Sequence, residues 1–301
     1  MGEVPSNAKG PALDLSQGLA VNEIADRVFL ITDGDYQAMC VDTGEGVIAL
    51  DAPPWGPEHL AAIRRACSAP ITHLVYSHSH YDHIGGAHHL GAPAIVAHHA
   101  TAAILQRHGD HRRPVPARTF DEELILGSGQ HRVELRYHGP NHQDGNIFIH
   151  LPAQRILMLV DVIVPGWVPF HALGGATDVA GYLAAHDTAL GYDFATLVAG
   201  HLTRTGTAHD VRAARDYLDE IRENCLRARQ SVSASDIAAA AGEDKWAFAS
   251  SYFDRIAATA ADEIIPRWAD RLGGATAFTH SHCLAMAIAL AHEWGADPPD
   301  E

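Results

Sequence analysis

The sequence predicts an α+β fold extended by a C-terminal run of helices. Short β-like runs fall into two separated groups, each closing on a helix, and beyond about residue 207 only helical periodicity remains. With 301 residues, 47% of them hydrophobic, the chain can build a substantial core, and its length alone suggests about two domains. A charged fraction of 19% belongs to a folded chain, not a disordered one.

Residues 1–20, rich in Gly, Pro and Ser, are expected to form a loose arm. Runs at 27–32, 37–42 and 46–51 are β-like, parted by the turn signals Asp33-Gly34-Asp35 and Thr43-Gly44-Glu45-Gly46. The proline-rich stretch 51–57 must be a loop and 58–69 a helix. Residues 71–77 form an apolar strand running into His78, with a short helix at 85–90, a strand at 94–97 and a helix at 99–108. A second group of β-like runs covers 132–138, 146–151 and 155–160, followed by a helix at 178–190 capped by Asp178 and a strand at 196–199. In the tail, Val211, Ala214, Leu218, Ile221 and Cys225 step by three and four, which is one helical face. A short helix at 235–241, a helix at 245–272 broken at Pro266 and a last apolar helix at 281–293 complete the chain. The expected organisation is therefore an arm (1–20), a catalytic domain (21–206) and a helical extension (207–301) that packs on the core, covers a site or forms a homo-oligomer contact.

Lys+Arg number 21 against 37 Asp+Glu, a net charge of −16. Such a chain is a poor ligand for phosphate backbones or anionic membranes, so neither nucleic acid nor membrane is an expected partner. The four cysteines form no C-x-x-C pair, which removes a cysteine zinc ribbon and a disulfide framework. No signal peptide and no run of 18 apolar residues is visible, so a cytoplasmic protein acting on a small molecule is expected.

The unusual count is 22 histidines. The strongest signal is His78-Ser79-His80-Tyr81-Asp82-His83, followed by Gly85 and Gly86, directly after an apolar strand. In an extended segment His78 and His80 point the same way and can share one ion, while Asp82 and His83 come one turn later and can serve a second. His142, Asp161 and His201 can supply further ligands, because each lies near the end of a β-like run, where an edge loop reaches a common point. Imidazole and carboxylate suit zinc, iron, manganese or cobalt. His280-Ser281-His282 repeats the H-x-H spacing, but on a helix those positions do not face one ion.

This ordered set of seven positions resembles the metallo-β-lactamase superfamily over about residues 20–205. The resemblance implies an αββα sandwich with the metal site at one edge. It places His78, His80 and His142 on a first metal, Asp82, His83 and His201 on a second, and Asp161 between them. The implied cofactor is two divalent ions, zinc being the first expectation. Together they generate a hydroxide that attacks an ester, lactone, thioester or amide, with Asp82 passing on a proton. Trp55, Trp167 and Phe170, in loops expected to border the site, favour a partly apolar substrate. Val164 stands three residues after Asp161, where some lactonases of the superfamily carry a tyrosine. Two other classes fit the motifs: a mononuclear iron, oxygen-dependent oxidoreductase of the persulfide dioxygenase type, and a non-catalytic binding protein on the same fold.

Overall fold

The computed structural model describes residues 4–292. Among the described residues the chain forms twelve strands in two sheets. The first sheet runs in chain order: β1 (Ala20–Ala25), β2 (Val28–Thr32), β3 (Gln37–Asp42), β4 (Val47–Leu50), β5 (Ile71–Val75), β6 (Ala94–His98) and β7 (Arg118–Phe120). The pairing is antiparallel from β1 to β4 and parallel from β4 to β7. The second sheet contains β8 (Glu123–Leu126), β9 (Val133–Arg136), β10 (Phe148–Leu151), β11 (Ile156–Met158) and β12 (Thr196–Val198), with β12 parallel to β11 and the rest antiparallel. The helices are α1 (Pro57–Ala66), α2 (Tyr81–Ile84), α3 (Ala87–Leu90), α4 (His99–His108), α5 (His171–Gly175), α6 (Val179–Leu190), α7 (Ala208–Ser231), α8 (Ala234–Ala241), α9 (Lys245–Trp268) and α10 (Ala275–His292).

Side-chain alternation along each strand builds the layers. Val28 and Leu30 of β2, Met39 and Val41 of β3, and Ile48 and Leu50 of β4 point inward, meeting Ile149, Leu151, Ile156 and Met158 of the second sheet. The intervening Ile31, Cys40, Val47 and Ala49 face the other way, against Ala62 and Ile63 of α1, Leu90 of α3 and Leu105 of α4. Phe148 and Leu157, on the outer face of the second sheet, join one core with α6, α7, α9 and α10. The αββα sandwich is thus present, and the C-terminal helices share the core of its outer layer. Among the described residues no helix is long and apolar enough to cross a membrane.

Several expectations are corrected. The described residues of the segment expected as a loose arm are mostly exposed but are anchored at points: Ala8 and Leu19 are buried, Asn7 Nδ2 donates to the Arg271 carbonyl (2.9 Å), and the Ala8 carbonyl accepts from Trp167 Nε1 (2.8 Å). Pro266 does not break its helix, which runs through it to Trp268. The last helix starts at Ala275, six residues before the expected 281, because Ala275, Thr279 and Cys283 continue one buried face toward the N-terminus. The strands β1, β7 and β8 were not expected; β7 and β8 are too short to show a period.

Outside the predicted ligand set His98 and His150 are nearly fully buried, and three histidines, His59, His186 and His282, are fully so. Burial holds His59 down to about 3, and His186 and His282 to about 4. In the unfolded chain each binds a proton near pH 6.5; in the folded chain it does not until well below. The unfolded state therefore binds more protons in that window, and stability falls as pH drops from about 6.5 toward 4, by up to ~1.4 kcal/mol per pH unit for each group. Urea unfolding at pH 7.5 and pH 5 is expected to give a lower midpoint at pH 5; equal midpoints would contradict it.

Candidate metal centre

Strand direction decides where the ligands meet. The parallel strands β5 and β6 and the parallel pair β11 and β12 end at one edge of the sandwich, and the β9–β10 loop returns to that edge because β10 runs antiparallel to β11. After β5 ends at Val75 the chain bends through Ser77, His78 and Ser79, holds His80 extended and then coils into α2, where a loop was expected, carrying Asp82 and His83. Gly86 lets this turn lie on the Asp51–Pro54 loop: a Cβ there would stand 2.2 Å from the Pro53 carbonyl oxygen. Asp161 follows β11 with φ +66°, a left-handed conformation that a short carboxylate side chain tolerates better than most.

The seven predicted ligands converge in two groups. His78, His80, His142 and Asp161 form one, and Asp82, His83 and His201 the other, with the donor atoms of each group within 4.8 Å of one another. Asp161 lies between them. Its Oδ2 is 3.3 Å from His78 Nε2 and 3.2 Å from His142 Nε2; its Oδ1 is 3.1 Å from His83 Nε2 and 2.9 Å from His201 Nε2. His80 Nδ1 is 3.0 Å from His142 Nε2, and His83 Nε2 is 3.2 Å from His201 Nε2.

These spacings test whether metals fit. Four N/O donors at bonds of about 2.0–2.1 Å around a tetrahedral ion stand about 3.4 Å apart. The distances of 2.9–3.3 Å between donors on both sides of Asp161 are close to that edge length. The same atoms are poorly served without ions: His78 Nε2 and Asp161 Oδ1 are buried with no hydrogen-bond partner. The two groups of imidazole and carboxylate donors fit divalent metal ions.

Electrostatics are strongly coupled. Burial, and then the neighbouring imidazoles, drive His78 well below its ordinary range and His80 down to about 4. Burial also works against a charged His83, yet the carboxylates of Asp161, Asp51 and Asp82 prevail and lift it to about 9. For Asp161 burial opposes ionisation, but His83 and His142 overcome it and hold the carboxyl well below its usual range.

Supporting contacts fix the ligands. Ser77 Oγ lies 3.0 Å from His78 Nδ1, which turns Nε2 to the cluster, and the Ser77 N–H donates to Asp51 Oδ1 at 2.7 Å. Burial raises the Asp51 carboxyl to about 6. The His142 N–H donates to Asn141 Oδ1 (2.7 Å), and its carbonyl accepts from the Thr177 N–H (3.0 Å). Gln37 Nε2 donates to the carbonyls of Leu202 and Arg204, tying the loop beyond His201 to the first sheet.

Gly200, before His201, has φ +86°, and a Cβ on it would stand 2.6 Å from Val160 Cγ1 and 3.0 Å from His83 Cε1. Gly200→Ala is expected to add ~1–2 kcal/mol of backbone strain and to displace His83. Affinity for a divalent metal ion should fall about 10–100-fold, read by competition with a chromophoric chelator. Unchanged affinity would contradict this placement of His83.

Above the ligands lies a cavity of ≈ 540 Å³. Trp167 and Phe170 line it as expected from the sequence, with Val164, Val168, Pro169 and Phe278. Trp55 does not line it: its Nε1 donates to Asp33 Oδ2 (2.6 Å), its ring meets His59 edge-on at 5.0 Å, and it packs into the layer between the first sheet and α1. Tyr36 lines the cavity without having been anticipated, its ring 4.9 Å from that of His201. Burial, then Asp82, raises the Tyr36 phenol above its ordinary value, so it stays a donor. Its only sequence signal is its place after the Asp33-Gly34-Asp35 turn. Among other histidines, His98 accepts from the Ala100 N–H to cap α4 and stacks on Tyr137, and His138 bonds the Tyr192 hydroxyl.

Comparison with known proteins gives four findings. The chain is 29% identical over 202 residues to the 2,4-dinitroanisole O-demethylase subunit alpha of Nocardioides sp. (strain JS1661), covering 64% of this chain and 61% of that one. It is 24% identical over 153 residues to a metallo-beta-lactamase type 2 of Bacillus cereus, covering 46% of this chain and 58% of that one. The chain thus spans about three-fifths of the length of these curated relatives. Among solved structures, the metallo-beta-lactamase from Pontibacter korlensis superposes with a TM-score of 0.57 at 22% identity, over 66% of this chain and 97% of that one, a likeness of fold. The family model of the metallo-beta-lactamase superfamily matches residues 27–201, more than half of the chain and the whole span from β2 to His201. With its sandwich, edge site and matched span, the chain belongs to the metallo-beta-lactamase superfamily.

Proposed function

We propose that the chain is a binuclear metal-dependent hydrolase that cleaves an ester, lactone, thioester or amide bond of a small, partly apolar molecule. The observation that carries this is the Asp161 carboxylate, one oxygen against His78 and His142 and the other against His83 and His201. His78, His80 and His142 would hold one ion and Asp82, His83 and His201 the other, with Asp161 shared. Two divalent cations bound there supply a water nucleophile at neutral pH and a Lewis acid for the attacked oxygen. Asp82, its side chain 40% exposed beside His83, is the group open to the cavity that can take the proton of the attacking water and pass it to the leaving group. The Tyr36 phenol lines the same cavity as a hydrogen-bond donor. Nitrogen and oxygen donors suit zinc, iron, manganese or cobalt, and zinc is the first choice to test.

A second reading is favoured by one observation, the Nocardioides relative, whose name records O-demethylation of 2,4-dinitroanisole. In that case the bond broken would belong to an aryl methyl ether. Protein stripped with a chelator is expected to lose turnover of phenyl acetate and of thioester probes and to regain it with zinc. Given 2,4-dinitroanisole, a hydrolytic protein would release methanol and an oxidative one formaldehyde. Restoration by iron alone, with oxygen uptake, would overturn the hydrolase in favour of the oxygen-dependent alternative.

A further inference from the structure

The cavity over the ligands has two chemically different halves. One carries Asp82, Asp161 and the histidines; the other is a wall that includes the rings of Trp167, Phe170 and Phe278. Among the described residues lining the cavity there is no lysine or arginine, so the wall has no cation to meet an anionic substituent. Phe170 is 70% exposed and packs against Phe278, ring centroids 5.1 Å apart at 61°. An aromatic ring left that open over a cavity is unfavourable in water until something apolar covers it.

The three rings are held in place by their surroundings. The Phe170 carbonyl accepts from Nε2 of the buried His282 (2.9 Å), whose Nδ1 lies 2.8 Å from the Tyr217 hydroxyl. The next turn is left-handed at Ala172, Leu173 and Gly174, and the Ala172 N–H donates to Ser281 Oγ (3.1 Å). Helix α10 therefore supplies Phe278 and also fixes the backbone of Phe170. Trp167 is clamped between the Ala8 carbonyl, which its indole N–H reaches, and Gly273, where a Cβ would stand 2.5 Å from its ring. A wall arranged before the ligand arrives loses little freedom on binding.

Resting on the hydrolase reading, we propose that Trp167, Phe170 and Phe278 seat a neutral aromatic ring of the substrate, with the bond to be cleaved over Asp82 and Asp161. A cavity of ≈ 540 Å³ takes one ring with short substituents, and the tilted Phe170–Phe278 pair offers both a face and an edge to it. The C-terminal helices thereby become a determinant of specificity.

The test is binding of 4-nitroanisole to the full chain, read as quenching of tryptophan fluorescence, in wild type, Phe170→Ala, Phe278→Ala and Phe278→Leu, with thermal unfolding as the control for folding. Phe170 is so exposed that its truncation should leave the fold intact. Wild type is expected to show saturable quenching, with Kd raised about tenfold in both alanine variants and less in Phe278→Leu. In turnover, the same alanine variants should raise KM for phenyl acetate more than for ethyl acetate. Saturable binding without any hydrolysis would keep the ring site and remove the hydrolase reading. No saturable quenching in wild type, or an unchanged Kd in Phe170→Ala and Phe278→Ala, would overturn the proposal.

Discussion

Asp161→Ala is expected to empty both halves of the centre at once. Each carboxylate oxygen lies within 3.3 Å of two imidazoles, one pair on each side, and no other carboxylate is placed between the two groups. On the proposed reading its removal takes one donor from each ion, and it leaves the five imidazoles of the two groups without the carboxylate between them. The loss of a mere supporting partner of a ligand costs about 10–100-fold in metal affinity or activity. Loss of the shared ligand should exceed that, and turnover should fall by more than about 100-fold while the fold survives. His80→Ala removes a donor on one side only and should spare the ion held by His83 and His201. If Asp161→Ala kept its metal and its turnover, the bridging position would be wrong.

Trp268→Ala should produce the largest loss of stability. Trp268 is only 1% exposed, its ring meets Tyr217 at 5.3 Å, its Nε1 donates to Glu220 Oε2 (3.0 Å), and Arg271 covers its face at 3.8 Å. Truncating such a side chain costs about 3–5 kcal/mol. In a chain of this size that should lower Tm by roughly 10 °C. Because Trp268 shares a core with Phe148 and Leu157 of the second sheet, one cooperative transition should move as a whole. A separate early transition, with the centre still loaded, would show that the C-terminal helices fold independently.

The clustering of His78, His80, Asp82 and His83 was legible in the sequence because it is local, but the path was not the extended one expected: the chain bends at Ser77, His78 and Ser79 after β5, and His80 is extended just before α2. His142, Asp161 and His201 were legible as strand-end residues, and the parallel β11–β12 pair with antiparallel β10 brings those ends together. Helix α2 was not legible, since a four-residue turn made of ligands carries no apolar period. Tyr36 and Phe278 escaped notice for a different reason. They reach the cavity through tertiary neighbours, His201 for one and the Phe170 turn for the other, which no local pattern records. Trp55 misled because a tryptophan in a proline-rich loop reads as a site border, whereas Asp33 and His59 draw it into the packing beside α1. The arm misled similarly: its Gly, Pro and Ser content hid the polar contacts that fasten it to Arg271 and Trp167.

Elemental analysis of the untagged, full-length protein tests the centre most directly. About two divalent ions per chain, zinc foremost, are expected, with the count reduced in Asp161→Ala and in His80→Ala. About one iron per chain, or a folded protein with no bound metal after growth and dialysis in zinc, would contradict a two-ion centre built on Asp161.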